Sequence, residues 1–251
     1  FVSKRMPDRF HRRFLPAIQR RKAQVLQLKG DFGNAQTLLS LLAKDPSVEE
    51  RGNILCDLAL VTARFKSLAM VLPSRDPAAA SSTTAALQSV RKPLEVAVNS
   101  QPDSSTNAHF CIGILRLLSN EDTGSTAEHF KASLAGMHRK EEAYTESELL
   151  PWTRFLLGIT LLESAEPANL SYARELIGQS IEASVPFPLW LWTRALRAAA
   201  LFDELSVGTA IAEHLRSKRG SEAWESIWTS GIIRDVSSLR NLYLQWLEDA
   251  E

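Results

Sequence analysis

The spacing of hydrophobic residues constrains the fold of this chain more than any other feature. Along nearly the whole sequence, apolar residues recur three and four positions apart, which is the spacing of an amphipathic helix, and no segment alternates with period two. Leu and Ala dominate the apolar set, and both are strong helix formers. Glycine and proline number only 11 each, fewer than an all-β chain of this length would need for its turns. The sequence therefore predicts an all-α protein.

The breaks in this pattern place the predicted helices. Three Ser/Thr-x-x-Glu sequences, beginning at Ser47, Ser125 and Thr145, are typical of capped helix starts. Pro93 predicts a kink within its helix, and residues 73–84 predict a flexible loop inside one domain because of their low complexity. Helices are expected after Asp8, with an interruption at Pro16, and then at about 17–28, 34–44, 48–71, 85–99, 106–119, 126–140, 146–163, 169–184, 189–203, 207–218, 221–233 and 236–249.

Three segments repeat one order of small and large residues. Each places a small residue inside one helix and a small–large–small set on the next, as expected where two antiparallel helices cross closely. The first segment contains Ala23, Leu26, Gly30, Phe32, Ala35, Leu39 and Leu42; the second contains Gly113, Thr126, Phe130, Ser133 and Leu134; the third contains Gly158, Ala173, Ile177, Ser180 and Ile181. The pattern predicts stacked helical hairpins.

Two of these stretches resemble the tetratricopeptide-repeat family. Residues 30–35, Gly-Asp-Phe-Gly-Asn-Ala, are similar to the turn of that repeat and the alanine after it, and residues 127–134 resemble its second helix. The spacing from Gly113 to Gly158 is 45 residues against a family period of 34, so the repeat is degenerate. The resemblance implies an α-solenoid, a right-handed superhelix of antiparallel helical hairpins, formed by residues 1–251 as a single elongated domain that binds other proteins.

Positive charge is concentrated at the start of the chain. The net charge is formally zero, yet residues 1–30 contain Asp8 as their one acidic residue against nine cations, which are Lys4, Arg5, Arg9, Arg12, Arg13, Arg20, Arg21, Lys22 and Lys29. We expect six of them to contact a partner: Arg9, Arg12, Arg13, Arg20, Arg21 and Lys22. Arg12, Arg13, Arg20 and Arg21 should be the main contacts, because a guanidinium pairs bidentately with carboxylate or phosphate. An acidic protein or peptide, nucleic acid, an anionic membrane surface, a missing part of the same protein and plain solvation all remain open.

A second candidate surface follows residues 186–188. Trp190 is followed at helical spacing by Arg194 and Arg197, and alternating aromatic and basic residues suit the peptide grooves of repeat proteins. The alternative is that Trp190 and Trp192 pack between hairpins, as large aromatic residues usually do.

No catalytic or cofactor motif is recognisable. The sequence has neither a nucleophile elbow, a phosphate-binding loop nor a His-Glu-x-x-His sequence. His109 and Cys111 are two positions apart, so on a helix they point in different directions and predict no metal site. We therefore expect no enzyme activity, no metal and no cofactor, although an unrecognised helical active site remains an alternative.

The remaining features concern context. Two cysteines, Cys56 and Cys111, predict no disulfide framework, and no apolar run is long enough to span a bilayer. The first thirty residues lack the apolar core of a secretory signal. A cytoplasmic protein, or a nuclear one if eukaryotic, is expected, and Phe1 indicates a piece of a longer protein.

The expected function is a protein–protein interaction scaffold or regulatory domain; the alternative is a nucleic-acid-associated module acting through the basic segment.

Overall fold

The computed structural model describes most of the chain between residues 14 and 214. The described residues are 14–45, 51–71, 77–100, 106–138, 149–164, 166–183, 189–201, 204 and 206–214. The predicted capping boxes at 47–50 and 145–148 and the predicted helices 221–233 and 236–249 lie outside these residues.

Every regular element in the described ranges is a helix, and none of these ranges contains a strand. The all-α prediction is therefore confirmed. In chain order the helices are α1 (Leu15–Leu28), α2 (Phe32–Lys44), α3 (Arg51–Val71), α4 (Pro77–Ser100), α5 (Thr106–Leu118), α6 (Thr123–His138), α7 (Leu149–Glu163), α8 (Pro167–Glu182), α9 (Leu189–Leu201) and α10 (206–214).

The turn from α1 to α2 follows from two residues. Gly30 has a φ of 78°, a left-handed conformation that glycine adopts without a steric cost. With it, the amide of Asp31 donates to the carbonyl of Leu26 at 2.9 Å, which closes α1 in a Schellman motif. The Asp31 side chain then accepts from the amide of Asn34 at 3.3 Å and caps α2. As a result α2 begins at Phe32, two residues before the predicted start.

The start of α6 also differs from the prediction. The predicted capping box began at Ser125, but Asp122 performs the capping, since its Oδ2 accepts from the Ser125 amide at 2.7 Å. The helix consequently begins at Thr123. An aspartate three residues before an amide offers the same acceptor geometry as the predicted serine and adds a negative charge that favours a helix N-terminus.

The predicted loop at 73–84 is wrong over residues 77–84, which form the first two turns of α4. Pro77 occupies the first helical position, where its missing N–H is not needed, and three alanines follow. Low complexity suggested a linker, but alanine has the highest helix propensity and the backbone follows it. Pro93 lies within α4, and the predicted kink stays a prediction.

The chain divides into two compact units. The first comprises Phe1–Met70 and Ser74–Glu121, and the second comprises Val71–Pro73 and Asp122–Glu251. In the first unit α1 packs on α2 and α4 packs on α5; in the second, α7 packs on α6, α8 and α9. A single domain over 1–251 and its superhelical arrangement stay predictions.

The small residues of the predicted hairpins lie in the core of these units. Ala23 and Ala35 are completely buried in the first unit, and Ala173 is completely buried in the second. At the crossing of α7 and α8 the fit is close, because a Cβ added to Gly158 would lie 2.7 Å from Cγ1 of Ile177 and 3.2 Å from the backbone oxygen of Ala173. Gly158 therefore allows the two helices to approach, as the sequence pattern predicts.

An ion pair recurs 83 residues further along the chain. Arg91 on α4 pairs with Glu121, which follows α5, and Arg174 on α8 pairs with Glu204, which follows α9. The partners are 30 residues apart in both pairs. Each arginine thus joins one helix to a glutamate beyond the end of the next helix, once in each unit.

Candidate functional site

An apolar stripe runs along the outward side of α1. Helix α1 buries Pro16 and Ala23 against its own unit. On the opposite side Ile18, Val25 and Leu28 are 58%, 50% and 88% exposed. Residues seven and three positions apart share one helix face, so these three side chains form a continuous stripe. Phe14, four positions before Ile18 and also largely exposed, lies on the same face.

Two cations accompany the stripe. Arg21 lies within it, between Ile18 and Val25, and Lys22 lies along its edge; both side chains are exposed. The Nη1 of Arg21 donates to Oε1 of Gln24 at 2.9 Å, a contact on the surface that leaves the guanidinium accessible. We call Ile18, Arg21, Lys22, Val25 and Leu28 the outer face of α1. It combines apolar surface with positive charge.

Arg20 is held inside its unit instead. Its Nε and Nη2 donate to the two carboxylate oxygens of Asp57 on α3, at 2.5 and 3.3 Å. The Arg20 side chain is only 25% exposed, whereas that of Arg21 is exposed to solvent. Of the six predicted contact residues, Arg9, Arg12 and Arg13 lie outside the described residues, and Arg21 and Lys22 lie on the outer face.

The residues of the second candidate surface have different surroundings. Arg194 on α9 donates two hydrogen bonds to Glu163 at the end of α7, at 2.6 and 2.9 Å. Arg197 is exposed, and the side chain of Trp190 lies outside the described part. Arg194 is thus hydrogen-bonded to the end of α7, whereas Arg197 is accessible to solvent.

Trp192 is a core residue of the second unit. It is 3% exposed, and its ring centroid lies 4.5 Å from that of Phe155 and 4.8 Å from that of His214. The packing of this tryptophan between helices agrees with the alternative raised by the sequence.

The two cysteines lie together in the core of the first unit. Both are free and buried, and the Cys111 Sγ lies 3.7 Å from the Cys56 carbonyl oxygen. Hydrogen bonding with Cys56, burial and the charge of Asp57 raise the pKa of the Cys111 thiol well above its usual range. The Cys111 thiol therefore stays protonated at neutral pH and is a poor nucleophile.

His109 on α5 has a shifted pKa as well. Burial lowers the pKa of His109, so its imidazole is neutral at physiological pH. Within the described ranges no three His, Cys, Asp or Glu side chains are grouped closely enough to bind a metal ion. In the same ranges, no helix has the length and apolar character needed to cross a membrane.

Comparison with known proteins gave no match. This holds for family models, for curated proteins and for solved structures alike.

The charge of the outer face was visible in the sequence, but its apolar half was missed. Hydrophobic residues at helical spacing usually indicate the buried side of a helix. The signal that could have corrected this is Ala23, together with Pro16. These small residues mark the side where α1 approaches its neighbours, which turns Ile18 and Val25 outward.

Proposed function

We propose that this chain is a helical-repeat domain that binds another protein and serves as a scaffold or regulatory part of a larger protein. In this proposal its hairpins form a right-handed superhelix of degenerate tetratricopeptide type, and an acidic protein or peptide binds the basic first segment. The observation that carries the proposal is the outer face of α1, where Ile18, Val25 and Leu28 are exposed beside Arg21 and Lys22.

The apolar residues of this face support protein binding. Isolated exposed hydrophobic side chains are normal, whereas several contiguous ones with a polar rim are typical of interaction sites. Ile18 and Val25 are each at least half exposed and lie two helical turns apart, so they form one surface. Covering them would gain hydrophobic free energy of about 25 cal/mol per Å² of apolar area removed from water.

The cations of this face support an acidic partner. Arg21 and Lys22 add positive charge to a segment already rich in it, and complementary charge speeds association and suppresses wrong partners. Arg20 contributes to the local potential but is committed to Asp57. The partner's carboxylates would therefore meet Arg21 and Lys22 first.

A nucleic-acid-associated module is the second candidate function. The nine cations of residues 1–30 favour it, since phosphate binding needs clustered Lys and Arg. The apolar stripe favours a protein, because Ile18, Val25 and Leu28 would find no apolar counterpart on a phosphate backbone. We propose no catalytic role, metal or cofactor, and we place the protein in the cytoplasm, or in the nucleus of a eukaryote.

Cross-linking in cells followed by affinity measurement tests the proposal. The full protein is cross-linked, partner proteins attached near α1 are identified, and their affinity is measured with purified components across a salt series. We expect an Arg21→Glu/Lys22→Glu variant to bind at least tenfold more weakly. The Lys44→Glu/Lys131→Glu variant, which reverses two exposed charges elsewhere, should bind like the wild type.

Two outcomes would overturn the proposal. One is equal affinity of the wild type and the Arg21→Glu/Lys22→Glu variant for the purified partner. The other is binding to duplex DNA with a steep negative salt dependence and no partner protein, which would favour the nucleic-acid function.

A further inference from the structure

The outer face of α1 has the spacing of a coiled-coil seam. Val25 lies seven residues after Ile18, and Leu28 lies three after Val25, which are the a, a and d positions of a heptad. Arg21 occupies the d position between Ile18 and Val25. All three apolar residues of the seam are at least half exposed. From Ile18 to Leu28 the seam is about 15 Å long, since a helix rises 1.5 Å per residue.

We infer that this seam binds one acidic amphipathic helix of a partner protein, with a carboxylate of that helix placed opposite Arg21. The inference rests on the proposed protein-binding function and specifies its surface and the chemistry of its partner. Apolar residues of the partner at heptad spacing cover Ile18, Val25 and Leu28. Acidic residues beside them pair with Arg21 and Lys22.

The position of Arg21 determines the sign of the charge on the partner helix and the register in which that helix binds. A polar residue at one core position of a coiled coil specifies register and partner at some cost in stability. A guanidinium that is covered without a counter-charge is costly, whereas a facing carboxylate accepts two parallel hydrogen bonds from it. A helix shifted along the seam would lose this pairing, so Arg21 selects one alignment.

Charge argues against a second copy of the chain as the occupant. Two copies paired antiparallel about the middle of the seam would place each Arg21 against Val25 of the other copy, which would cover the guanidinium without a counter-charge. A parallel pair would place Arg21 against Arg21, because identical positions face each other, and like charges at a covered position repel. Both arrangements are unfavourable, so the seam disfavours a second copy of the chain.

The same residue argues against a membrane surface. A helix that lies in a bilayer interface turns its apolar face into the acyl region and its cations towards water. Arg21 lies in the middle of the apolar stripe and would enter with it, which is unfavourable for a charged group.

The test uses two designed peptides with the full protein. Each is a three-heptad helix with Leu at a and d and Glu at e and g; one has Glu and the other Lys at the single core position that faces Arg21. Binding is followed by fluorescence anisotropy. We expect the wild type to bind the Glu peptide about tenfold more tightly than the Lys peptide, and Arg21→Glu to reverse this preference.

A second variant tests the apolar half of the seam. Because Ile18 and Val25 are exposed, Ile18→Ser/Val25→Ser should fold normally, as circular dichroism can verify, and should lose binding to both peptides. Lys44→Glu should leave both affinities unchanged.

The inference of a helix-binding seam is wrong if the wild type binds both peptides equally, if it binds neither, or if Arg21→Glu does not reverse the preference. Binding to anionic vesicles of phosphatidylcholine and phosphatidylserine that Arg21→Glu abolishes, with no peptide binding, would assign the face to a membrane. A partner cross-linked in cells that still binds Arg21→Glu at wild-type affinity would overturn the seam and leave the interaction-domain proposal intact. Absence of any such partner would count against that proposal whichever way the peptides behave.

Discussion

Arg20 on α1 and Asp57 on α3 are joined by two hydrogen bonds, between Nε and Oδ2 at 2.5 Å and between Nη2 and Oδ1 at 3.3 Å. The pair separates two neighbouring arginines by role. Arg20 fastens α1 to its unit, and Arg21, the next residue, faces solvent. Two arginines that look equivalent in the sequence therefore have different roles: Arg20 stabilises the unit, and Arg21 lies on its surface.

Replacing Arg20 should destabilise the first unit. Arg20→Ala leaves the half-buried carboxylate of Asp57 without these two bonds, and we expect a loss of about 1–2 kcal/mol, below the usual range for charged hydrogen bonds because both groups keep some solvent contact. Arg21→Ala is the matched control and should change stability by less than about 0.5 kcal/mol. Urea unfolding measures both. Equal stability of the two variants would show that the Arg20 pair contributes nothing.

Gly158 and Gly178 should respond in opposite directions to alanine. A Cβ at Gly158 would lie 2.7 Å from Cγ1 of Ile177, whereas one at Gly178 meets nothing within 4 Å. We expect Gly158→Ala to destabilise by about 1–2 kcal/mol, because overpacking outweighs the gain in helix propensity. Gly178→Ala should stabilise by up to about 1 kcal/mol. If Gly158→Ala were more stable than the wild type in thermal or urea unfolding, the result would contradict the close crossing of the two helices.

The Arg174–Glu204 pair should be asymmetric. The Glu204 side chain is 7% exposed and that of Arg174 is 48% exposed, and two hydrogen bonds of 2.6 and 2.8 Å join them. Arg174→Ala leaves the buried carboxylate of Glu204 without these hydrogen bonds, whereas Glu204→Gln leaves Arg174 where water can solvate it. We expect Arg174→Ala to be the less stable variant by chemical unfolding. The reverse order would mean that Glu204 is accessible to water once Arg174 is removed.

Stability should fall at alkaline pH because of Cys111. Its pKa is raised in the folded state, so above the ordinary thiol pKa of about 8.5 the unfolded chain releases a proton that the folded chain retains. The contribution of Cys111 to the free energy of unfolding is fully present below that pH. Above it, this contribution decreases by up to about 1.4 kcal/mol per pH unit. Urea unfolding from pH 7 to 10 should show a shallower loss for Cys111→Ala. Parallel curves for the two proteins would contradict the shift.

The sequence predicted the helices well because local signals determine them. The turn at Gly30 and Asp31 depends on residues within five positions of each other, and both the left-handed glycine and the capping aspartate are visible in the sequence. The loop predicted over 77–84 was wrong because low complexity was weighted above alanine propensity. The crossing at Gly158 was also predictable, since a small residue on one helix and a small–large–small set on the next describe a close approach.

The candidate site was only half predictable. Arg20 and Arg21 are adjacent and identical, and the contact described for Arg20 is with Asp57, 37 residues away. No periodicity reveals a pair at that distance. The spacing of Ile18 alone did not reveal its exposure either, because an apolar residue at helical spacing fits a buried face and an interaction face equally well; the small residues Pro16 and Ala23 were the signal that pointed outward.

The 83-residue offset between the Arg91–Glu121 and Arg174–Glu204 ion pairs has a consequence for how such proteins are compared. Of the residue pairs matched by this offset along α5 and α9, only Leu118 with Leu201 is identical. The two segments have in common the positions of the arginine and the glutamate, 30 residues apart in both. An alignment scored on residue identity would miss this correspondence, whereas one scored on the separation of ion-paired residues would detect it.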